Sequence, residues 1–105
     1  IKLLLEKDPE ADSIICTNNI VAYHVLQELK QNRISVPNRI GVITFDNYPL
    51  AEYLDPPLTA VDIDTYLLGE RAASTLFDMI KHQKGKEEAI LIKTRIIPRK
   101  STEKR

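Results

Sequence analysis

The chain has 105 residues, of which 43% are hydrophobic and 29% charged, and 15 Lys and Arg balance 15 Asp and Glu to a formal net charge of zero. This composition predicts at most one globular domain and argues against a dedicated nucleic-acid module, which needs an excess of positive charge. One Cys excludes a disulfide framework or a Cys-based zinc site within the chain, and no apolar run approaches the roughly 18 residues that span a bilayer.

The first half of the chain predicts a βαβ unit. Residues 1–7 predict the last turns of a helix, which ends before Pro9, and the apolar run 13–17 predicts a strand buried on both faces. A helical repeat follows, and its inward face contains Ala22, Val25, Leu26 and Leu29. The run 40–45 predicts a second buried strand. Because a helix connects the two strands, we expect them to be parallel.

The second half predicts a long helix between two further strands. Residues 48–54 fit a short helix, and 58–62 fit a short strand. Asp64 is a suitable N-cap for a helix over 65–83, which Gly85 would close. The inner face of this helix is predicted to contain Leu68, Ala72, Leu76, Met79 and Ile80.

The end of the chain predicts the longest strand, over residues 89–97, followed by Pro98 and a basic tail over 99–105. We expect this tail to be loose and solvated, as chain termini commonly are. In the helix over residues 1–7, Leu4 and Leu5 are predicted to face inward. The chain does not begin with Met, and we expect it to be a piece of a longer protein.

Polar side chains follow both strands of the βαβ unit. The residues at the two strand ends are Thr17, Asn18 and Asn19 for the first strand and Phe45, Asp46 and Asn47 for the second, in which the aromatic Phe45 adjoins the polar pair. Ligands of open α/β sheets bind beyond the carboxyl ends of the strands, so we expect Asn18 and Asp46 to face one shared pocket mouth. Asn offers donors and an acceptor, and an ionised Asp accepts from two hydroxyls, which suits a polyhydroxylated small molecule. Phe45 or Tyr48 could cover an apolar sugar face.

Each of these pairs also has a simpler interpretation. Asn18 and Asn19 can serve only to cap the helix that follows, and Asp46 and Asn47 can serve only to form a turn. Two such clusters at one predicted edge leave the binding and the structural interpretations both open.

Other candidate chemistry is better explained by structure. Asp62 and Asp64 could form a carboxylate pair, but no third ligand is near in sequence and Asp64 suits an N-cap. His24 and His82 have no partner at ligand spacing, and Cys16 is expected to be a buried, inert thiol. We therefore predict no metal, no cofactor and no catalytic residue.

Five stretches of the chain, in order and in spacing, resemble the carboxy-terminal part of lactose-repressor/galactose-repressor (LacI/GalR) regulators. They are Cys16-Thr-Asn-Asn-Ile-Val-Ala22, Val36-Pro-Asn-Arg-Ile-Gly-Val-Ile-Thr-Phe-Asp-Asn47, Pro56-Pro-Leu-Thr-Ala-Val61, Leu68-Gly69 and Ile97-Pro-Arg-Lys-Ser-Thr102. The resemblance covers essentially the whole chain. In detail it is similar to the maltose-operon repressors of Gram-positive bacteria.

The resemblance implies both fold and function. The fold would be part of a parallel-sheet, periplasmic-binding-protein-like (type I) lobe with three αβα layers. The function would be effector sensing in a cytoplasmic, homodimeric repressor, with a small sugar, first of all a maltose-like one, as the effector. Operator DNA would be bound only through a helix-turn-helix domain absent from this chain, and no membrane would be involved.

Site residues carry over from the family motifs position by position. The Ala-Asn-Asp motif is matched by Thr17-Asn18-Asn19, so the resemblance assigns effector contact to Asn18, while Asn19 replaces the acidic residue and loses its charge. The Gly-Tyr-Asp-Asp/Asn motif is matched from Thr44 to Asn47, which makes Asp46 the leading ligand residue. Phe45 replaces the tyrosine, and Asn47 completes the predicted ligand set: Asn18, Asn19, Phe45, Asp46 and Asn47.

The resemblance also places an interface and two crossovers. Leu50, Tyr53 and Leu54 would lie in the family's dimer interface, although ordinary packing explains such residues equally well. The chain would cross to a second lobe near 61–65 and return near 94–97.

Two other functions remain as alternatives. One is the sugar-binding protein of an ABC transport system with the same core fold, and the other is a small α/β enzyme using Asp46 or the Asp62/Asp64 pair. The missing lobe has a further consequence. If it normally covers the helix over 65–83, then Leu68, Leu76 and Ile80 are uncovered here, and we expect self-association and weak effector binding.

Overall fold

The computed structural model describes residues 1–82 and 89–104, in which α-helices and β-strands alternate. The elements are α1 (Lys2–Lys7), β1 (Ser13–Cys16), α2 (Asn19–Gln31), β2 (Gly41–Phe45), a 3-10 helix (Pro49–Tyr53), β3 (Thr59–Ile63), α3 (Thr65–His82) and β4 (Thr94–Ile97). Each predicted element is present, but the prediction of a longest strand over 89–97 is wrong, because only Thr94–Ile97 form a strand, which is shorter than β2 and β3. The predicted cap at Gly85 lies outside the described residues.

The strands form one sheet in the order β1-β2-β3-β4. β1 and β2 are parallel, with Ser13 opposite Gly41 and Cys16 opposite Thr44. β2 and β3 are also parallel, and β4 lies beside β3. The predicted βαβ unit and the α/β fold class are therefore confirmed, and the carboxyl ends of β1 and β2 lie at the same edge of the sheet.

The core of the sheet is built on α2. Ala22, Leu26 and Leu29 are buried at the spacing of one helix face, and Val25 is partly buried beside them, as predicted. Full burial of a Leu such as Leu29 contributes about 1.5–3 kcal/mol relative to its exposed state. The other buried apolar residues of the cluster are Cys16, Ile40, Val42, Ala51 and Leu58.

The predicted burial of β1 on both faces is wrong. Cys16 is 2% exposed, whereas Ile15 is 71% exposed and Ile14 is partly buried. Successive strand residues point to opposite faces, and α2 packs on the face that contains Cys16. Ile15 lies on the other face, together with its pairing partner Ile43. The apolar run alone did not distinguish these two faces.

The predicted inward orientation of α1 is half right. Ile1 and Leu5 are partly buried against the core, but Leu4 is 46% exposed, so its predicted orientation is wrong. Ile1 and Leu5 are four residues apart and therefore lie on the same face of the helix, whereas Leu4 lies on a different face.

The basic tail is bound, and the prediction of a loose, solvated tail is wrong. Ser101 is fully buried, and its Oγ donates to the carbonyl of Val42 at 2.6 Å and accepts from the N–H of Thr59 at 2.8 Å. Lys104 Nζ lies 3.1 Å from a carboxylate oxygen of Asp12. The hydrogen bond from Lys104, followed by that from Ser13, lowers the pKa of Asp12. The tail is held because polar groups of β2, β3 and the loop before β1 bond to it.

The chain divides into two compact units. The first comprises residues 1–62 and 95–105, and the second comprises residues 63–94. In the second unit, the predicted inner face of α3 is exposed: Leu68 by 47%, Leu76 by 57% and Ile80 by 65%. Among the helices described, none has the length and apolar character needed to cross a membrane.

Candidate functional site

The side chain of Asn19, at the start of α2 just after β1, forms hydrogen bonds with the end of β2. Asn19 is 1% exposed, and its Nδ2 donates to the carbonyl of Phe45 at 3.2 Å and to the carbonyl of Asp46 at 2.8 Å. Its Oδ1 lies 3.4 Å from the hydroxyl of Tyr23. The side chain of Asn19 is therefore engaged within the protein, and it joins the start of α2 to the end of β2.

Asp46 occupies the left-handed region of backbone conformation, with φ of 66°. Asp tolerates this region better than most residues, but the conformation still costs free energy, which contacts from the surrounding structure must offset. The two hydrogen bonds from Asn19 supply that support. Asp46 is partly exposed, and within residues 1–82 and 89–104 its carboxylate has no hydrogen bond or ion pair. Among the described residues, both of its oxygens remain available to accept hydrogen bonds.

Asn18 is the N-cap of α2. Its Oδ1 accepts from the N–H of Val21 at 3.0 Å, so the capping interpretation of this residue is confirmed. The residue is exposed, and its Nδ2 makes no hydrogen bond to the described part of the chain. The cap uses the oxygen and leaves the amide nitrogen at the same sheet edge as Asp46. Capping and ligand contact are therefore compatible.

Aromatic surface borders this edge. Phe45 is 45% exposed and Tyr48 is 54% exposed, one on each side of Asp46 and Asn47 in the chain. Small-molecule sites combine apolar or aromatic walls with a few placed polar groups. The free carboxylate, the amide nitrogen and the two rings together are suited to a hydroxylated ligand with an apolar face.

A network of polar side chains lies next to Asp46 in the chain, and no local sequence pattern predicts it. Asn47 Nδ2 donates to Asp62 Oδ1 at 3.1 Å, and Asp62 Oδ2 accepts from Arg95 Nε at 2.9 Å. Arg99 Nη2 donates to Asn47 Oδ1 at 2.8 Å. The hydrogen bonds from Arg95 and then Asn47 lower the pKa of Asp62. No sequence spacing signals pairs separated by 33 or 52 residues.

The predicted N-cap role of Asp64 and the predicted burial of Cys16 are confirmed. Asp64 caps α3 by accepting from the N–H of Leu67 at 2.9 Å. Cys16 is buried, and desolvation raises the pKa of its thiol. Over residues 1–82 and 89–104, no three His, Cys, Asp or Glu side chains are grouped to hold a metal ion. The side chain of His82 lies outside the description.

The predicted dimer residues differ in exposure. Leu50 is 53% exposed and Tyr53 is 77% exposed, whereas Leu54 is partly buried against the core. Leu50 and Tyr53 lie on the 3-10 helix, and Leu54 follows it. Two of the three side chains are therefore accessible to a partner.

Comparison with known proteins identifies relatives along nearly the whole chain. The chain is 35% identical over 102 residues to the HTH-type transcriptional repressor PurR of Mannheimia succiniciproducens, covering 97% of this chain and 30% of that protein. It is 36% identical over 103 residues to the ribose operon repressor of Bacillus subtilis, covering 98% of this chain and 32% of that protein. The chain thus spans about a third of the length of these relatives.

Solved structures show the same fold. A LacI family transcriptional regulator from Arthrobacter sp. FB24, in complex with lactose, superposes with a TM-score of 0.80 and 30% identity, covering 96% of this chain and 38% of that one. These relatives are repressors or regulators of transcription, which confirms the resemblance to the LacI family and does not favour the transport alternative. Residues 2–102 match the periplasmic binding protein-like domain. The chain therefore belongs to the periplasmic binding protein-like domain family.

Proposed function

We propose that this chain is part of the effector-binding core of a LacI-type transcriptional repressor, and that the edge formed by the tips of β1 and β2 binds a saccharide. The observation that carries the proposal is the free carboxylate of Asp46, held on a left-handed turn beside Asn18 by the buried amide of Asn19. A related repressor is named for the ribose operon, and a similar regulator was solved with lactose.

The residues at this edge would divide the work of binding. Asp46 would accept hydrogen bonds from two sugar hydroxyls, and Asn18 would donate from Nδ2. Phe45 would cover an apolar face of the ring. Asn19 would act through the turn that it holds, and Asn47 would contact the ligand only at the margin, because both ends of its amide are engaged.

The proposal extends to a longer protein. The boundaries between the two units, after Asp62 and before Arg95, support chain crossovers to a second lobe near 61–65 and back near 94–97. A helix-turn-helix domain elsewhere in that cytoplasmic protein would bind operator DNA. Leu50, Tyr53 and Leu54 would contribute to a homodimer interface, and sugar binding would alter operator affinity by favouring one lobe arrangement.

The test is a saccharide titration of the 15N-labelled chain, followed by NMR. Maltose, ribose and lactose are added up to high millimolar concentration, because the chain offers only part of a cleft. We expect one of them to shift the amide signals of Asn18, Phe45 and Asp46. Asp46→Asn should weaken that binding about tenfold or more, since hydrogen bonds to a charged group contribute roughly 1.5–3 kcal/mol.

Asp8→Asn is the matched control. Asp8 is an exposed aspartate that ends α1, before the amino end of β1, so it lies at the opposite edge of the sheet from Asp46. This variant removes the same charge and should bind like the wild type. Saccharide shifts that persist unchanged in Asp46→Asn would remove Asp46 from the site, and their absence at the sheet edge with all three sugars would refute the proposed function.

A further inference from the structure

One carboxylate, that of Asp62, bonds to two different parts of the first unit. Its Oδ1 accepts from Asn47 at 3.1 Å, and its Oδ2 accepts from Arg95 at 2.9 Å. The Asp62 side chain is 21% exposed, whereas that of Arg95 is 76% exposed. The carboxylate is therefore the sheltered centre of the group, and Arg95 approaches it from the solvent side.

Asn47 is held from both ends of its amide. The nitrogen donates to Asp62, and the oxygen accepts from Arg99 Nη2 at 2.8 Å. Arg99 is itself anchored, because its Nη1 donates to the carbonyl of Leu58 at 2.7 Å. Asn47 directly follows Asp46, so the left-handed turn is held on one side by Asn19 and on the other by this network.

Two of the three charged members of the network, Asp62 and Arg95, lie where the two segments of the first unit are interrupted. Its first segment ends at Asp62 in β3, and its second segment begins at Arg95 in β4. The Asp62–Arg95 ion pair thus joins the residue where the chain leaves this unit to the residue where it returns. Through Asn47, the same carboxylate reaches the turn that contains Asp46.

We propose that Asp62 is a positioning residue for the ligand edge: it fixes the turn at Asp46 to the two strands through which the chain leaves and re-enters the first unit. A ligand that moves the Asp46 turn would then move these strand ends, and a change at the strand ends would alter the turn. The role in ligand response rests on the proposed function, whereas the mechanical link can be tested without a ligand.

The test is a double-mutant cycle on the 15N-labelled chain, with Arg95→Gln, Asp62→Asn and the pair. The readouts are the backbone amide signals of Asp46 and Asn47 and the side-chain amide signals of Asn47. Arg95→Gln should shift these signals although, among the described hydrogen bonds, Arg95 bonds to Asp62 and to neither of these residues. In the Asp62→Asn background, the same substitution should have less than half of that effect. Because Arg95 is largely exposed, Arg95→Gln should leave the fold intact.

The control cycle uses Asp12→Asn and Lys104→Gln. Asp12 and Lys104 form a similar ion pair in the same unit, at 3.1 Å, but before the amino end of β1. These variants should leave the Asp46 and Asn47 signals in place. Unmoved signals in Arg95→Gln, or equal shifts with and without the Asp62 carboxylate, would overturn the positioning role whether or not a sugar binds.

Saccharide titration of the same variants separates this inference from the proposed function. With a link through Asp62, Asp62→Asn should bind about three- to tenfold more weakly than the wild type, with unfolding at nearly the same temperature. A positive cycle without any saccharide binding would refute the proposed function and support the link. Saccharide binding together with a negative cycle would support the proposed function and refute the link through Asp62.

Discussion

At the scale of single residues, two neighbouring asparagines have opposite hydrogen-bonding roles at the candidate site: one side chain accepts and the other donates. Asn18 accepts a hydrogen bond from Val21 and caps α2, whereas Asn19 donates hydrogen bonds to the carbonyls of Phe45 and Asp46. An oxygen is sufficient at the first position, but an N–H donor is required at the second. The family resemblance gives effector contact to Asn18 and includes Asn19 in the same predicted ligand set, whereas the hydrogen-bond directions separate the two residues.

The same substitution should therefore have different effects at the two positions. Asn19→Asp replaces a buried donor with a carboxylate oxygen facing two carbonyl oxygens, and it should lower the free energy of unfolding by about 1–3 kcal/mol or more at pH 7. Asn18→Asp keeps the capping oxygen, and it should change that energy by less than about 0.5 kcal/mol. Urea unfolding of both variants measures the difference. Equal stability of the two would contradict the assigned bond directions.

At the scale of elements, α2 is defined at both ends by local chemistry. Asn18 caps the first turn, and the last turn closes with two hydrogen bonds, from the N–H of Ile34 to Leu29 and from the N–H of Arg33 to Lys30. This pair of bonds is the Schellman arrangement, in which the residue after the C-cap adopts a left-handed conformation. Arg33 occupies that position, with φ of 56°.

Arg33→Gly should therefore stabilise the protein. Glycine adopts this conformation without the steric cost of a Cβ, which exceeds the added entropy of the unfolded chain, so we expect a net gain of about 0.5–1 kcal/mol. The exposed Arg33 side chain leaves little packing to lose. Arg33→Ala is the control and should bring no gain, since it retains the Cβ. Thermal or urea unfolding measures the change in stability. A destabilised glycine variant would show that contacts of the Arg33 side chain stabilise the fold, contrary to the prediction.

At the scale of the whole molecule, α3 presents a large amount of apolar surface. Tyr66, Leu76, Phe77 and Ile80 are each more than half exposed, at 84%, 57%, 65% and 65%. Large exposed apolar patches on soluble proteins mark association sites, and several large apolar side chains of this one helix are exposed. The fold of the chain is therefore compatible with a larger assembly, in which this helix is covered.

We predict that the 105-residue chain self-associates through α3. Light scattering over a range of concentrations should show an apparent mass that rises with concentration. Leu76→Glu should reduce the association, because it places a charge within the apolar face. Ser74→Glu adds the same charge at an exposed polar position on the same helix and should not. A wild-type chain that stays monomeric at high concentration would disprove the prediction.

Local sequence patterns were sufficient to predict the helices and strands, and to predict the sheet edge at which the polar residues after β1 and β2 lie. The helical repeat of Ala22, Leu26 and Leu29, the cap at Asn18 and the apolar runs of the strands act over a few residues, so they can be read directly. Parallel pairing follows from the helical crossover, and it brings the tips of β1 and β2 to one edge.

Only the tertiary structure decided which polar groups meet across long separations. The bonds of Ser101 to Val42, of Arg95 to Asp62 and of Arg99 to Asn47 join residues 59, 33 and 52 positions apart. Tertiary structure also decided that Ile15 is exposed, because burial depends on what packs over a strand face and not on the hydrophobicity of the strand. Periodicity and capping act within a few residues, whereas coverage and long-range pairing exist only once the whole chain has folded.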